Sequence, residues 1–251
     1  MGNTGKLSKR MRGYESCFRF NLIKRMPVII RVDGETFHSY TQGCTPFSEI
    51  ISNAFDYAIC QTIQNMQGFK VAYTQSDEVS FLLTDFDTIN TTPWFDNKYH
   101  KLVANPASKM TGYFNEFIQT VHNIYSYPFP HDLEVLMDRR PATFSCLAFN
   151  MPKDEVSNYF LERALDNRRN SISKFARMFF SDKQLHGQGQ ADIHEMLHKI
   201  NKNWTTDLPE KFRNGMFYMI EKGQSNPTRH DNILPKYKDI SSLIEPFMVA
   251  G

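Results

Sequence analysis

The sequence predicts an α+β domain of the ferredoxin-like, split βαβ kind. Three observations carry that prediction. From Pro27 onward, short β-branched or aromatic runs alternate with helix-period segments in the order strand, helix, strand, strand, helix, strand. Two of the runs stop on acidic turns, Asp33-Gly34 and Asp77-Glu78. No linker or composition break divides the chain, so one domain over residues 1–251 is expected, with helical C-terminal additions, a flexible basic arm over 1–13 and a tail over 225–251.

Each element has its own warrant. Pro27 to Val32 is an apolar run that ends on Asp33-Gly34, as a buried strand delivering a carboxylate to a turn does. Thr45-Pro46 has the form of an N-cap with Pro at the first helical position, and Ile51, Ala54, Phe55, Ala58 and Thr62 follow at helical spacing towards Gly68. Phe69 to Tyr73 and Val79 to Leu83 are strands around the tight Gln75–Glu78 connection. After a polar loop, Thr84 to Trp94, a helix is expected over Lys101 to His122, with Pro106 marking its true start. Tyr127 to Pro130 reads as loop and Thr143 to Phe149 as the fourth strand. A long helix, Glu155 to Phe180, a short one, Ala191 to Ile200, and a last strand, Gly215 to Glu221, complete the reading. The sheet is expected to be antiparallel with helices on one face.

Composition narrows the class. With 41% hydrophobic residues and 34 aromatics the chain can build a packed core, which excludes general disorder. No run of roughly 18 apolar residues predicts a membrane span, and the polar, basic start does not read as a secretory signal. Cys17, Cys44, Cys60 and Cys146 form no CxxC pair and read as reduced thiols of a cytoplasmic protein. The net charge of +2 hides a split: residues 1–25 hold seven basic groups and one acid, whereas residues 26–100 hold nine acids and three bases.

In a split βαβ sheet the first and third strands are central neighbours, so Asp33, Asp77 and Glu78 meet at one edge. Carboxylates gathered there repel unless a cation neutralises them. Oxygen-only ligands suit Mg²⁺, which binds through one or two carboxylates plus substrate phosphates. Arg31, on the same strand face as Asp33, and Gln75 and Ser76 beside Asp77 add donors for a phosphate. The plain alternative is two ordinary turns, since Asp and Gly favour turns anyway.

The segments Arg31-Val32-Asp33-Gly34-Glu35-Thr36-Phe37-His38 and Gln75-Ser76-Asp77-Glu78-Val79-Ser80-Phe81 resemble the metal and nucleotide motifs of the tRNA(His) guanylyltransferase family. Asp166 to Ser171 and Leu185-His186-Gly187 resemble its bacterial-type branch, the guanylyltransferase-like 3′–5′ RNA polymerases. The resemblance implies a polymerase-like palm, two Mg²⁺ ions, ATP and GTP as substrates, tRNA as partner, and a homotetramer. It implies Asp33, Asp77 and Glu78 as catalytic residues, with Asp33, Gly34 and Asp77 as metal ligands. It further implies a nucleotide site of Arg31, Asp33, Gly34, Glu35, Thr36, Phe37, His38, Ser76, Asp77, Lys98 and Lys101. Thr45, Ser48, Ser145 and Leu147 depart from the family pattern, where a Lys, an acid, an Asp and an Arg stand; Arg139 and Arg140 are candidate replacements for the Arg.

On the helix from Glu155, Arg163, Asn167, Asn170, Lys174 and Arg177 recur three or four apart, with Arg168 beside them. A stripe of cations and amides suits an RNA backbone, although most charge stripes are merely solvated. The expected function is Mg²⁺-dependent addition of nucleotides to the 5′ end of tRNA in the 3′–5′ direction. Two other readings stand beside it: a catalytically altered RNA-binding palm, and a zinc hydrolase built on His194-Glu195-Met196-Leu197-His198, an HExxH pentapeptide with no third ligand at family spacing.

Overall fold

The computed structural model describes residues 2–221 and 224–249. The elements run α1 (Gly2–Ser16), β1 (Val28–Gly34), α2 (Phe37–Tyr40), α3 (Glu49–Ile63), β2 (Phe69–Gln75), β3 (Glu78–Leu83), α4 (Tyr99–Ile124), α5 (His131–Met137) and β4 (Phe144–Asn150). They continue as α6 (Val156–Ala176), α7 (Asp182–Leu185), α8 (Gln190–Lys199), α9 (Trp204–Asp207), α10 (Glu210–Asn214), β5 (Met216–Met219), β6 (Thr228–His230) and α11 (Tyr237–Ile244). One antiparallel sheet has the order β4-β1-β3-β2-β5-β6. Its first four strands are the split βαβ core, and β5 and β6 extend it beyond β2.

Alternation along the strands sends side chains to two different layers. Val28, Ile30 and Val32 of β1 join Ala72, Phe81 and Ala148 under α3 and α4. There Phe37, Phe55, Phe114 and Phe144 form a knot in which all six ring pairs lie 5.2–6.0 Å apart. On the opposite face Ile29, Val71, Tyr73, Leu82 and Phe217 pack on Val156, Phe160 and Ala164 of α6 and Ile240 and Ile244 of α11. Helices therefore cover both faces, not one as expected. A third cluster around Trp204, Phe175 and Leu197 joins the end of α6 to α8 and α9.

Several local expectations shift. The cap of α3 is Ser48, whose side chain accepts from the Ile51 N–H, and Thr45 is instead bound to Asp132. Pro106 lies inside α4 rather than at its start. A proline cannot bond the carbonyl four residues back, Leu102 O, and the Cys146 thiol on β4 lies 4.0 Å from it and 3.8 Å from Leu147 O, sharing one proton between them. The stretch before β4 carries α5, a helix not expected between the Tyr127–Pro130 loop and the fourth strand. The expected tail supplies β6, which pairs with β5, and α11, which closes the second layer. The basic start carries α1, whose Lys6, Lys9, Arg10 and Arg12 are all exposed. No described helix is long and apolar enough to cross a membrane.

Candidate functional site

The register brings the two acidic turns together. Asp33 is the cross-strand partner of Glu78 on one side and of Ser145 on the other. The Gly34 N–H donates to the Asp77 carbonyl at 3.0 Å, tying the end of β1 to the β2–β3 turn. Like charges directly opposed across a ladder destabilise it, and two arginines answer them here. Arg31 Nε donates to Asp33 Oδ2 at 3.1 Å and lies 3.8 Å from Glu78 Oε2. Arg163 Nη1, reaching down from α6, lies 3.4 Å from the same Glu78 oxygen. Burial pushes the Glu78 carboxyl up to about 7; Arg163 and Arg31 oppose that rise, and Asp33 adds to it.

The turns that carry these groups are strained. Thr36 (φ 49°) and Ser76 (φ 50°) hold left-handed backbone that costs a residue with a Cβ about 1–2 kcal/mol. Gly34 is required by packing: a Cβ there would meet the Phe37 ring at 2.5 Å. Phe37 itself is core, in the aromatic knot. Glu35 turns to β4, accepting from Thr143 Oγ1 at 2.9 Å.

Next to this edge opens a cavity of about 480 Å³, within the range of small-molecule sites. Phe37, Phe47, Phe55, Phe212 and Met216 give it an apolar wall, whereas His38, Gln75, Ser76, Asn167, Asn170 and Lys174 give it a polar one. Gln75 is 8% exposed, and its Oε1 is buried without a partner. The rim, residues 42–45, is held by α5. Asp132 accepts from Thr45 N at 2.7 Å and from Thr45 Oγ1 at 2.6 Å, His131 Nε2 lies 2.9 Å from Gly43 O, and Arg139 donates to Gln42 O at 2.9 Å. Sequence reasoning missed Asp132. The available signal was Pro130 followed by acids in a first turn, which marks a helix start.

The α6 stripe divides. Arg163 is engaged with Glu78, Arg168 stacks over Trp204 at 5.2 Å, and buried Asn167 donates to Arg213 O at 3.3 Å. Asn167, Asn170, Lys174 and Arg177 line the cavity. Arg168, Asn170, Lys174 and Arg177 are exposed, whereas Arg163 and Asn167 are turned to internal partners. Lys98 and Lys101 sit at the start of α4, and among the described residues neither makes a hydrogen bond or ion pair with Arg31, Asp33 or Glu78. Leu147 is exposed and opposite Arg31, leaving an uncharged spot beside it.

The HExxH residues lie on α8, with the His194 and His198 rings 6.5 Å apart and His194 against Trp204 at 5.8 Å. Among the described residues no three His, Cys, Asp or Glu side chains gather as a metal cluster. The two acidic turns, tied by the Gly34 N–H to Asp77 O bond, carry oxygen donors of the type a hard cation takes in Asp33, Asp77 and the Gly34 carbonyl. Waters and phosphate oxygens would complete such a shell.

Comparisons place this geometry. The family model described as tRNA(His) guanylyltransferase matches residues 8–152. A bacterial tRNA(His) guanylyltransferase-like protein in complex with ATP is 35% identical, with a TM-score of 0.85 over 96% of this chain and 99% of that one. Another such structure, in complex with GTP, is 33% identical, with a TM-score of 0.75 over 97% and 99%. The tRNA(His) guanylyltransferase of Saccharomyces cerevisiae, at 18% identity and a TM-score of 0.65 over 88% and 96%, shares the fold. No curated protein sequence matches. With the family model spanning more than half of it, the chain belongs to the tRNA(His) guanylyltransferase family.

Proposed function

We propose that this protein is a Mg²⁺-dependent nucleotidyltransferase that adds nucleotides to the 5′ end of a tRNA in the 3′–5′ direction, using ATP and GTP. The observation that carries the reading is the cavity of nucleotide size that opens beside the Asp33–Asp77 edge. Relatives with ATP and with GTP bound support it. Asp33, Asp77 and the Gly34 carbonyl would hold Mg²⁺, which when bound offsets charge on the phosphates during an in-line transfer. Arg31 and Arg163 orient Asp33 and Glu78, and the exposed Ser76 hydroxyl is free to donate to a phosphate. The apolar wall seats the base, and Gln75 Oε1 accepts from its polar edge. The exposed cations of α1 and Arg168 meet the RNA, through contacts that weaken as salt rises.

The test is a 5′-monophosphorylated tRNA lacking its first nucleotide, incubated with labelled nucleoside triphosphates and Mg²⁺. Extension of the 5′ end by the wild type, lost in Asp77→Ala, is expected. Full extension by Asp77→Ala would remove the two-carboxylate site from the mechanism. A second reading, an RNA-binding palm without catalysis, is favoured by the exposed Leu147 beside Arg31. It expects tRNA binding with no incorporation under any combination of nucleotide and metal.

A further inference from the structure

Three cations line the cavity, and they are not equivalent. Arg177 Nε is paired with Asp182 at 2.9 Å, and Lys211 Nζ with Glu49 at 2.5 Å. Lys174 forms no ion pair among the described residues. Its ammonium rests over the Phe47 ring, 5.1 Å from the centroid, and that ring packs on Phe212 at 5.4 Å. The ammonium is therefore steered by the apolar wall and kept from collapsing onto a carboxylate. Its side chain is open to solvent yet enclosed by the concavity. That enclosure draws its pKa below the ordinary lysine value, while Asp77 pulls the other way. Gln75 and Ser76, the two residues before Asp77, line the same cavity as Lys174. A ligand filling the cavity between Phe47 and Phe212 and the Gln75-Ser76 end shares it with this ammonium. A flat base with an anionic tail fits both ends, and a lysine ammonium is a common point ligand for phosphate.

We infer that Lys174 is the specificity-determining cation that grips the phosphates of the nucleoside triphosphate seated in this cavity, rather than a contact to RNA. The inference rests on the nucleotide reading above and goes beyond it by naming the residue. Neither Arg177 nor Lys211 can take the role without giving up a carboxylate partner.

Calorimetric titration of the full chain with ATP and, separately, with adenosine tests it. Lys174→Met keeps the aliphatic stem on Phe47 and removes the charge. It should weaken ATP binding about ten-fold or more and leave adenosine binding unchanged. Lys174→Arg should restore most of the ATP affinity, and tRNA affinity should be the same in all three proteins. Unchanged ATP affinity in Lys174→Met, with or without weaker tRNA binding, overturns the inference. So does an equal loss for ATP and adenosine, which would make Lys174 only a wall of the base cavity. A wild type that binds neither ATP nor GTP overturns the nucleotide reading as well, so the two failures are told apart by the wild-type titration alone. A matching thermal midpoint for both variants confirms that the comparison is between folded proteins.

Discussion

The two faces of the central strand differ along their length. On the α3/α4 side, β1 offers Val28, Ile30 and Val32, all buried, and the aromatic knot seals them. On the α6/α11 side it offers Ile29, buried, then Arg31 and Asp33, which are partly open. The apolar part of the second layer stops half-way along the strand, and the charged residues begin where it stops, with Arg163 of α6 over Glu78. A sheet covered fully on one side and partly on the other holds its backbone rigid while leaving strand ends reachable. The closed face sets position and the half-open face supplies chemistry, so substitutions on the two should fail in different ways.

The largest effect is expected from Asp33→Ala on the half-open face. Extension of the tRNA 5′ end should fall about 10³-fold or more. Denaturant unfolding should change little, because the substitution also relieves Asp33–Glu78 repulsion. Phe114→Ala, on the closed face, reverses the pattern. It removes a fully buried ring that touches Phe37, Phe55 and Phe144, and should lower the unfolding free energy by about 3–5 kcal/mol. Equal stability losses for the two variants would erase the distinction between the faces.

Asp132→Asn probes the rim that joins them. Burial raises the Asp132 carboxyl, but hydrogen bonds from Ser48 and Thr45 outweigh that and hold it below the usual carboxylate value. A lowered folded pKa means stability that is present above the unfolded value and lost as pH falls through the folded one. The wild type should therefore lose stability on acidification through that window, and Asp132→Asn should show a flatter acid limb in melts from pH 6 down to pH 2. Near neutral pH the variant should be weaker by about 1–3 kcal/mol, because the amide cannot accept both Thr45 bonds equally well. An unchanged acid limb would show that the rim does not depend on this carboxylate.

Strands β1 to β3 were legible because apolar runs met at Asp-Gly and Asp-Glu turns. The second helical layer was legible too, in retrospect: Val28-Ile29-Ile30 is apolar without alternation, which signals burial on both faces. Periodicity placed Asn167, Asn170, Lys174 and Arg177 on one helix face, but it carries no information on what covers a face. The cap expected at Thr45 lies at Ser48 for a reason that is not local. Asp132, 87 positions away, claims Thr45 and leaves the capping to Ser48. Helix α5 was hidden by its seven residues, too few for a periodic signal after two prolines.

The proline inside α4 also makes two distant positions depend on one another. Leu102 O has lost its helical donor to Pro106 and shares the Cys146 thiol of β4 with Leu147 O instead. Replacing Pro106 by alanine would return an N–H to that carbonyl, and the thiol would become redundant. The cost of Cys146→Ala should therefore be smaller by about half a kcal/mol in a Pro106→Ala background than in the wild type. A double-mutant cycle in urea reads that difference directly, and strict additivity would deny it. Where the coupling holds, the two sites are epistatic: the tolerance of a strand residue is set by a ring on a helix forty positions earlier in the chain.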